Sequence, residues 1–525
     1  MSDTLELHLE RAEAALARWE GDAALGHLLE AWQECRAEPI IALIHRLSEF
    51  LYAGLPPLDS FVFEKSEEGA RHPMDLPLLL EGLLRNATSD GLCIRLRVLD
   101  LLRRRFPADP RMVPVVLAST RLPDAEHVDN LRMHSSMLMY IGPPYDVEPL
   151  RELKARLPRD IGREAARLDK VIRMGERWAP PVLSEPVQSR CEVLRQVVEA
   201  RIDRVSRSAA TRDALLARIH AAPADDEPRR VLADLLLGQG DPLGELISLQ
   251  CESEPDEARI IRLLEVHGAR WEAALGPYVE RGHTRFERGF PVAVQARHHP
   301  LVGFPLEFVE PGAAWSTVEE IRMGMSGLHE AMVWGLMLQS PALRHVKALA
   351  RFPGMAVEAL TAPGESSLRR VELTNTEGVG VEKLAALPRL EWLKATTDGP
   401  RFVVQCLESS LASRLEYFEA SRRPEPYDEH RREPGSVAWR MVLDRGAEVP
   451  VSVTLENPDD AEDLVAILRI ATRFSTHALR VSFRFGWMPA HENITAPELA
   501  PLIAQSRALL EEAASAYAHV IWDVE

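Results

Sequence analysis

Residues 318–421 carry one apolar pattern five times: Val318-x-x-Ile321-x-Met323, Leu343-x-x-Val346-x-Ala348, Leu368-x-x-Val371-x-Leu373, Leu390-x-x-Leu393-x-Ala395 and Leu415-x-x-Phe418-x-Ala420. Their starts fall 25, 25, 22 and 25 residues apart (343−318, 368−343, 390−368, 415−390). One short strand per period cannot bury its apolar side alone, so such a chain stacks successive copies until the strands form a continuous parallel sheet. The pattern predicts that sheet, backed by the helical or turn stretches between the copies, with the apolar positions inward.

Side chains alternate along a strand, so the x positions face out and line up in two columns. The first is Glu320, His345, Arg370, Trp392, Tyr417; the second is Arg322, Lys347, Glu372, Lys394, Glu419. The second alternates in sign from Lys347 onward, which also suits a plain ladder of cross-strand ion pairs. Large aromatics on a polar face are costly unless covered, and Trp, Tyr and Arg are the usual anchors of protein contacts. Arg370, Trp392 and Tyr417 are therefore the expected contact patch, with Lys347, Glu372, Lys394 and Glu419 around it. The alternative is that residues 422–436 of the same chain cover the two rings.

This repeat resembles the leucine-rich repeat. It departs from the usual pattern in lacking the asparagine past the strand in four copies, with Asn375 one position early in the fifth, and in placing Ala348, Ala395 and Ala420 where leucine is customary. Those departures predict an irregular coil.

A second resemblance rests on residues 211–251. An amphipathic helix around Ala214, Leu215 and Ile219 stops at Pro223, and Asp225-Asp226 offer caps for a second helix with Pro228 just inside it. Val231, Leu232, Leu235 and Leu236 form its apolar stripe, Gly238 and Gly240 close it, and Asp241-Pro242 opens a third helix with Leu243, Leu246, Ile247 and Leu249 inward. The run D-D-E-P-R-R-V-L-A-D-L-L…G-D-P-L-G-E-L-I-S-L-Q is similar to the bacterial repeat-companion domain, and the later Trp271…Leu275…Phe286-x-Arg288-Gly289-Phe290-Pro291 resembles the segment that follows it. The likeness spans about 211–297, with Leu232 and Leu235 where the family usually has aromatics. It implies a helical module beside leucine-rich-type repeats and no catalytic residues. Asp234, Asp241 and Glu245 read as cap and ion-pair residues, Asp234 with Arg229 or Arg230.

Residues 1–208 read as an all-helical array, with His27 and Glu30 one turn apart and His127 near Asp129; neither pair completes a metal-ligand set. Arg103–Arg105 reads as a basic helix end. After the linker 422–436, strands and helices alternate over 437–525, a small α/β unit that closes the sheet edge, with Asp459-Asp460 capping its first helix. The fold class is multidomain α and α/β: helical array 1–208, companion-like module 209–300, repeat solenoid 301–421 and α/β cap.

The 525 residues include 46% hydrophobic and 27% charged, as in globular proteins, and carry a formal charge of −18. That charge argues against a general nucleic-acid or anionic-membrane binder. Five scattered cysteines without a C-x-x-C, and an acidic start without a signal-peptide pattern, predict a cytoplasmic protein. There is no P-loop, dinucleotide fingerprint, G-x-S-x-G or Cys/His signature; Gly378-Val-Gly380 is a lone loop pair, and Cys406 follows an apolar run. The expected function is a non-catalytic protein-binding adaptor, with no catalytic, metal or cofactor residues. The alternatives are a neutralising, immunity-type partner of a basic toxin or effector, and an enzyme whose site carries no familiar motif.

Overall fold

A computed structural model of the chain describes residues 3–56, 72–85, 96, 99–104, 106–158, 161–297, 310–323, 328–360, 366–376, 378–422, 437–484 and 496–524. It divides into two compact units, one built on residues up to Gly282 together with Phe286–Phe290, the other on His283–Arg285, Pro291–Phe304 and Glu310–Glu525. The expected linker lies outside the described residues from 423 to 436. No described helix is long and apolar enough to cross a membrane.

The first unit is helical. Leu5, Leu9, Ala12 and Leu16 bury one face of helix Asp3–Ala17 against Leu25, Leu28 and Trp32 of helix Gly21–Glu34. Polar residues reinforce the joints. Asp109 accepts the Arg111 backbone N–H (2.9 Å) and, through both carboxylate oxygens, the Arg111 guanidinium, which also reaches Ser48 Oγ and the Pro73 carbonyl; both ionic groups are buried. His127 caps helix Val128–Ile141. Arg103 and Arg104 pair with Asp100 one turn back, a helix-surface arrangement; Arg105 lies outside the described residues.

The helices expected at about 186–205 and around Leu215 are one 37-residue helix, Glu185–Ala221, which crosses the expected boundary at 208–209 without a break. Nothing in residues 206–213, SRSAATRD, is a helix breaker. Downstream, Asp225 and not Asp226 caps helix Glu227–Gln239, accepting from the Glu227 N–H, while Asp226 binds Arg288 at 2.7 Å. Among the described residues Arg229 pairs with neither Asp234 nor any other carboxylate: it is buried, donates to the Pro223 and Asp225 carbonyls, and lies over the Phe290 ring. Val231 is exposed, so the buried stripe is Leu232, Ala233 and Leu236. Gln250 holds the next segment at two points, donating to the Phe286 carbonyl and accepting from the Gly289 N–H. Two glycines are dictated by geometry. Gly240 ends its helix at φ 67°, and a side chain on Gly244 would sit 2.7 Å from the Leu237 backbone nitrogen where helix Pro242–Gln250 crosses its neighbour. Asp241 caps that helix and Glu245 is bound by Arg259, so these two acids serve separate structural tasks.

The strands form one eleven-stranded sheet, β3 to β11 of it in the second unit, in which every strand lies beside its predecessor: β1 Arg285–Glu287, β2 Phe290–Gln295, β3 Glu320–Arg322, β4 Ala348–Phe352, β5 Arg370–Leu373, β6 Trp392–Thr397, β7 Tyr417–Arg422, β8 Trp439–Asp444, β9 Val451–Leu455, β10 Ala478–Phe483 and β11 His519–Val524. Pairing is parallel from β2 to β7 and from β9 to β11, and antiparallel at β7–β8 and β8–β9. The inward positions Ile321, Leu349, Val371, Leu393 and Phe418 pair in one buried row. Strands β8 to β11 continue this sheet directly from β7. The expected cap by Asp459-Asp460 is not made, because Asp460 turns to Arg422 and Asn457 while Asn457 caps the preceding turn.

One repeat is out of the expected register. The partner of Ile321 is Leu349 and not Val346, so the second copy reads Val346-x-x-Leu349-x-x-Phe352. The same strand then carries a bulge: between Leu349 and Phe352 two residues of β4 oppose Glu372 of β5, with Arg351 at φ 56° and its N–H bound to Glu372 Oε2. Asn375, early by the customary pattern, accepts from the Gly354 N–H of the preceding copy and ties adjacent coils together.

Candidate functional site

Strand alternation places one side of each strand in the core and leaves the other as a polar face. Its first row runs Glu320, Ala348, Arg370, Trp392, Tyr417 and, across the antiparallel step, Asp444. The second runs Arg322, Ala350, Glu372, Lys394, Glu419 and Val442. Glu372 is where the bulge sets two residues against one.

The register shift removes two expected members. His345 and Lys347 precede β4 and take no place in these rows; small alanines stand there instead. Burial, then Arg344 and Lys347, push the His345 imidazole below its usual range. Lys347 belongs to a separate line just before the strands, with Glu319 at 2.7 Å, and the same line pairs Arg369 with Glu391 at 3.3 Å. Backbone bonds from Lys347 to Glu319, Arg369 to Lys347, Glu391 to Arg369 and Glu416 to Glu391 make this line continuous. No apolar alternation marks these residues in the sequence.

The other candidates converge. Trp392 and Tyr417 stack with ring centroids 5.2 Å apart and planes within 6°, both half-buried and not fully exposed as expected. The Tyr417 hydroxyl donates to Glu419 Oε2 at 2.8 Å; burial first, and then this carboxylate, push the phenol well above its usual range. Glu419 is nearly enclosed, its side chain 12% exposed between Lys394 (3.5 Å) and Arg440 (3.7 Å). Lys394 lies 4.0 Å from Glu372, and Arg370 lies 3.7 Å from Glu320. Several of these ionic separations exceed hydrogen-bond length, so the cations are held in place electrostatically without geometrically tight bonds. Arg440, contributed by the antiparallel β8, extends the alternation of sign and is invisible to a repeat that ends at 421.

The arrangement offers a stacked aromatic pair flanked by alternating charge. Cys406, by contrast, is wholly buried, and burial pushes its thiol far above the range of a reactive cysteine. A comparison of the chain with protein-family models, with curated proteins and with solved structures finds no match.

Proposed function

We propose that the chain is a non-catalytic protein-interaction adaptor whose partner docks on the outward face of the sheet, across Arg370, Trp392 and Tyr417 with Glu372, Lys394 and Glu419 at its margin. The observation that carries this reading is the stacked Trp392–Tyr417 pair on an otherwise polar face. Stacking adds about 0.5–1.5 kcal/mol beyond burial, which holds the two rings against each other so that they meet an apolar or cationic group with little further ordering. The unit around them is an irregular solenoid of the leucine-rich type: each strand lies beside its predecessor, and Asn375 bridges adjacent copies. The segment from about 211 to 297 is its repeat-companion-like module, a reading supported by the mutual bonds of Asp226 with Arg288, Arg229 with Phe290 and Gln250 with Gly289.

The test is affinity capture from the native cell with the full chain and with Trp392→Ala/Tyr417→Ala, each eluate identified by mass spectrometry. A stoichiometric protein retained by the unaltered chain and lost from the variant, with the variant's melting temperature within a few degrees, is the expected result. Identical retention by both chains would defeat the assignment. The net charge of −18 favours a basic partner and, as a second reading, a neutralising role against a basic toxin or effector; a steep fall in association rate with added salt is its signature.

A further inference from the structure

The first helical hairpin brings together three side chains that are not neighbours in sequence. His27 and Glu30 lie three residues apart on helix Gly21–Glu34 and share one face; His8 reaches them from helix Asp3–Ala17. His8 Nδ1 lies 2.9 Å and His27 Nδ1 3.0 Å from the same oxygen, Glu30 Oε2, and the three candidate ligand atoms all fall within 4.8 Å of one another. We propose that His8, His27 and Glu30 form a binding site for a divalent transition metal, zinc being the cation the donors suit.

Two imidazoles and one carboxylate are a known zinc donor set, and ligands at bonds of about 2.0–2.1 Å in a tetrahedron stand about 3.3 Å apart, close to the two separations from Glu30 and within the 4.8 Å that bounds all three. The set contains nitrogen donors, which disfavours magnesium or calcium, both of which demand oxygen. Hydrogen bonding alone leaves the cluster incomplete. His27 bonds to Glu30, but His8 Nδ1, closed off from solvent, makes no hydrogen bond despite its nearness to that carboxylate. A buried ring nitrogen in that state is costly, and a cation between the three groups would satisfy it. Glu30 is 54% exposed, which leaves the fourth position to water and gives the ion a path in. The bound ion would fasten the two helices to each other along their shared face. This site is separate from the docking face and does not depend on it.

The test is titration of the untagged, chelator-stripped full chain with zinc chloride by calorimetry, alongside His8→Gln, His27→Gln and Glu30→Gln. The expected result is one equivalent bound with micromolar or tighter affinity, weakened by more than about tenfold in each variant while the helical circular-dichroism signal is unchanged. Glu30 is exposed, so its variant tests the site even if His8→Gln disturbs packing. Cobalt(II) in place of zinc should show visible bands without a thiolate charge-transfer band. Absence of binding, equal binding by His27→Gln and Glu30→Gln, or a thiolate band pointing to cysteine ligands would each overturn the proposal.

Discussion

In the helical unit, charge is taken into the interior: Arg111 is sealed with Asp109, Asp75 is wholly buried beside Arg281, and Arg229 lies among carbonyls and a phenyl ring. In the sheet unit the inward rows are almost purely apolar, and much of the charge stands on the polar face in loosely spaced pairs, with Arg422, bound by Asp460 and Asp463, a tighter exception. Burial pushes the guanidinium groups of Arg201 and Arg229 down to about 10, whereas the sheet-face cations are half in water. The contrast reflects two ways to specify a fold. Helices of unequal length meet at irregular angles, and an ion pair or a capped carbonyl at each joint selects one arrangement. A repeated strand has less need of such a lock, because in four of the five copies its apolar periodicity matches the register.

That contrast gives its largest prediction at Asp109. Asp109→Ala strands a buried guanidinium and should cost about 3–5 kcal/mol, read as a lower urea midpoint; a loss under about 1 kcal/mol would mean that the interior pair is not a lock. Lys394→Ala, which removes a cation 37% exposed on the sheet face, should change stability by less than about 1 kcal/mol. A larger fall in the same measurement would show that the sheet also relies on its ion pairs.

The smallest effect tests burial against location. Glu245 lies in the helical unit but on its surface, where hydrogen bonds from Arg259 are the main cause holding its carboxyl below the usual range. A carboxyl depressed in the fold binds fewer protons there than in the unfolded chain, whose value is about 4.3. Its contribution is therefore full above that value and is lost as pH falls through the lowered one. Glu245→Gln should lower stability slightly at neutral pH and flatten the profile below about pH 5, so that the two chains converge in acid. An equal slope in both chains would remove this pair from the account.

The parts legible in the sequence are those with a strong period. Ile321, Val371, Leu393 and Phe418 can be read as one inward row because apolar alternation over a short run suits a strand and little else. The second copy misleads because Leu343, Val346 and Ala348 imitate the pattern, whereas the paired strand hides it behind the inserted Arg351. Lys347 is misplaced for that reason, and the line of Glu319, Lys347, Arg369 and Glu391 leaves no trace in the sequence because charge carries no burial signal. The strands after 437 are recognisable individually, but a strand's own residues do not say which edge it joins. His8 shows the same limit among helices: its partners are set by how the hairpin closes, 19 and 22 residues downstream (27−8, 30−8).

The order of the strands bears on how the protein is made. Because β3 needs only β2, β4 only β3, and so on to β11, no strand has to wait for residues still inside the ribosome. The sheet can lengthen at the pace of translation, with each new edge occupied by the next strand to emerge, so an arrested chain ending after β7 would already hold its earlier strands paired.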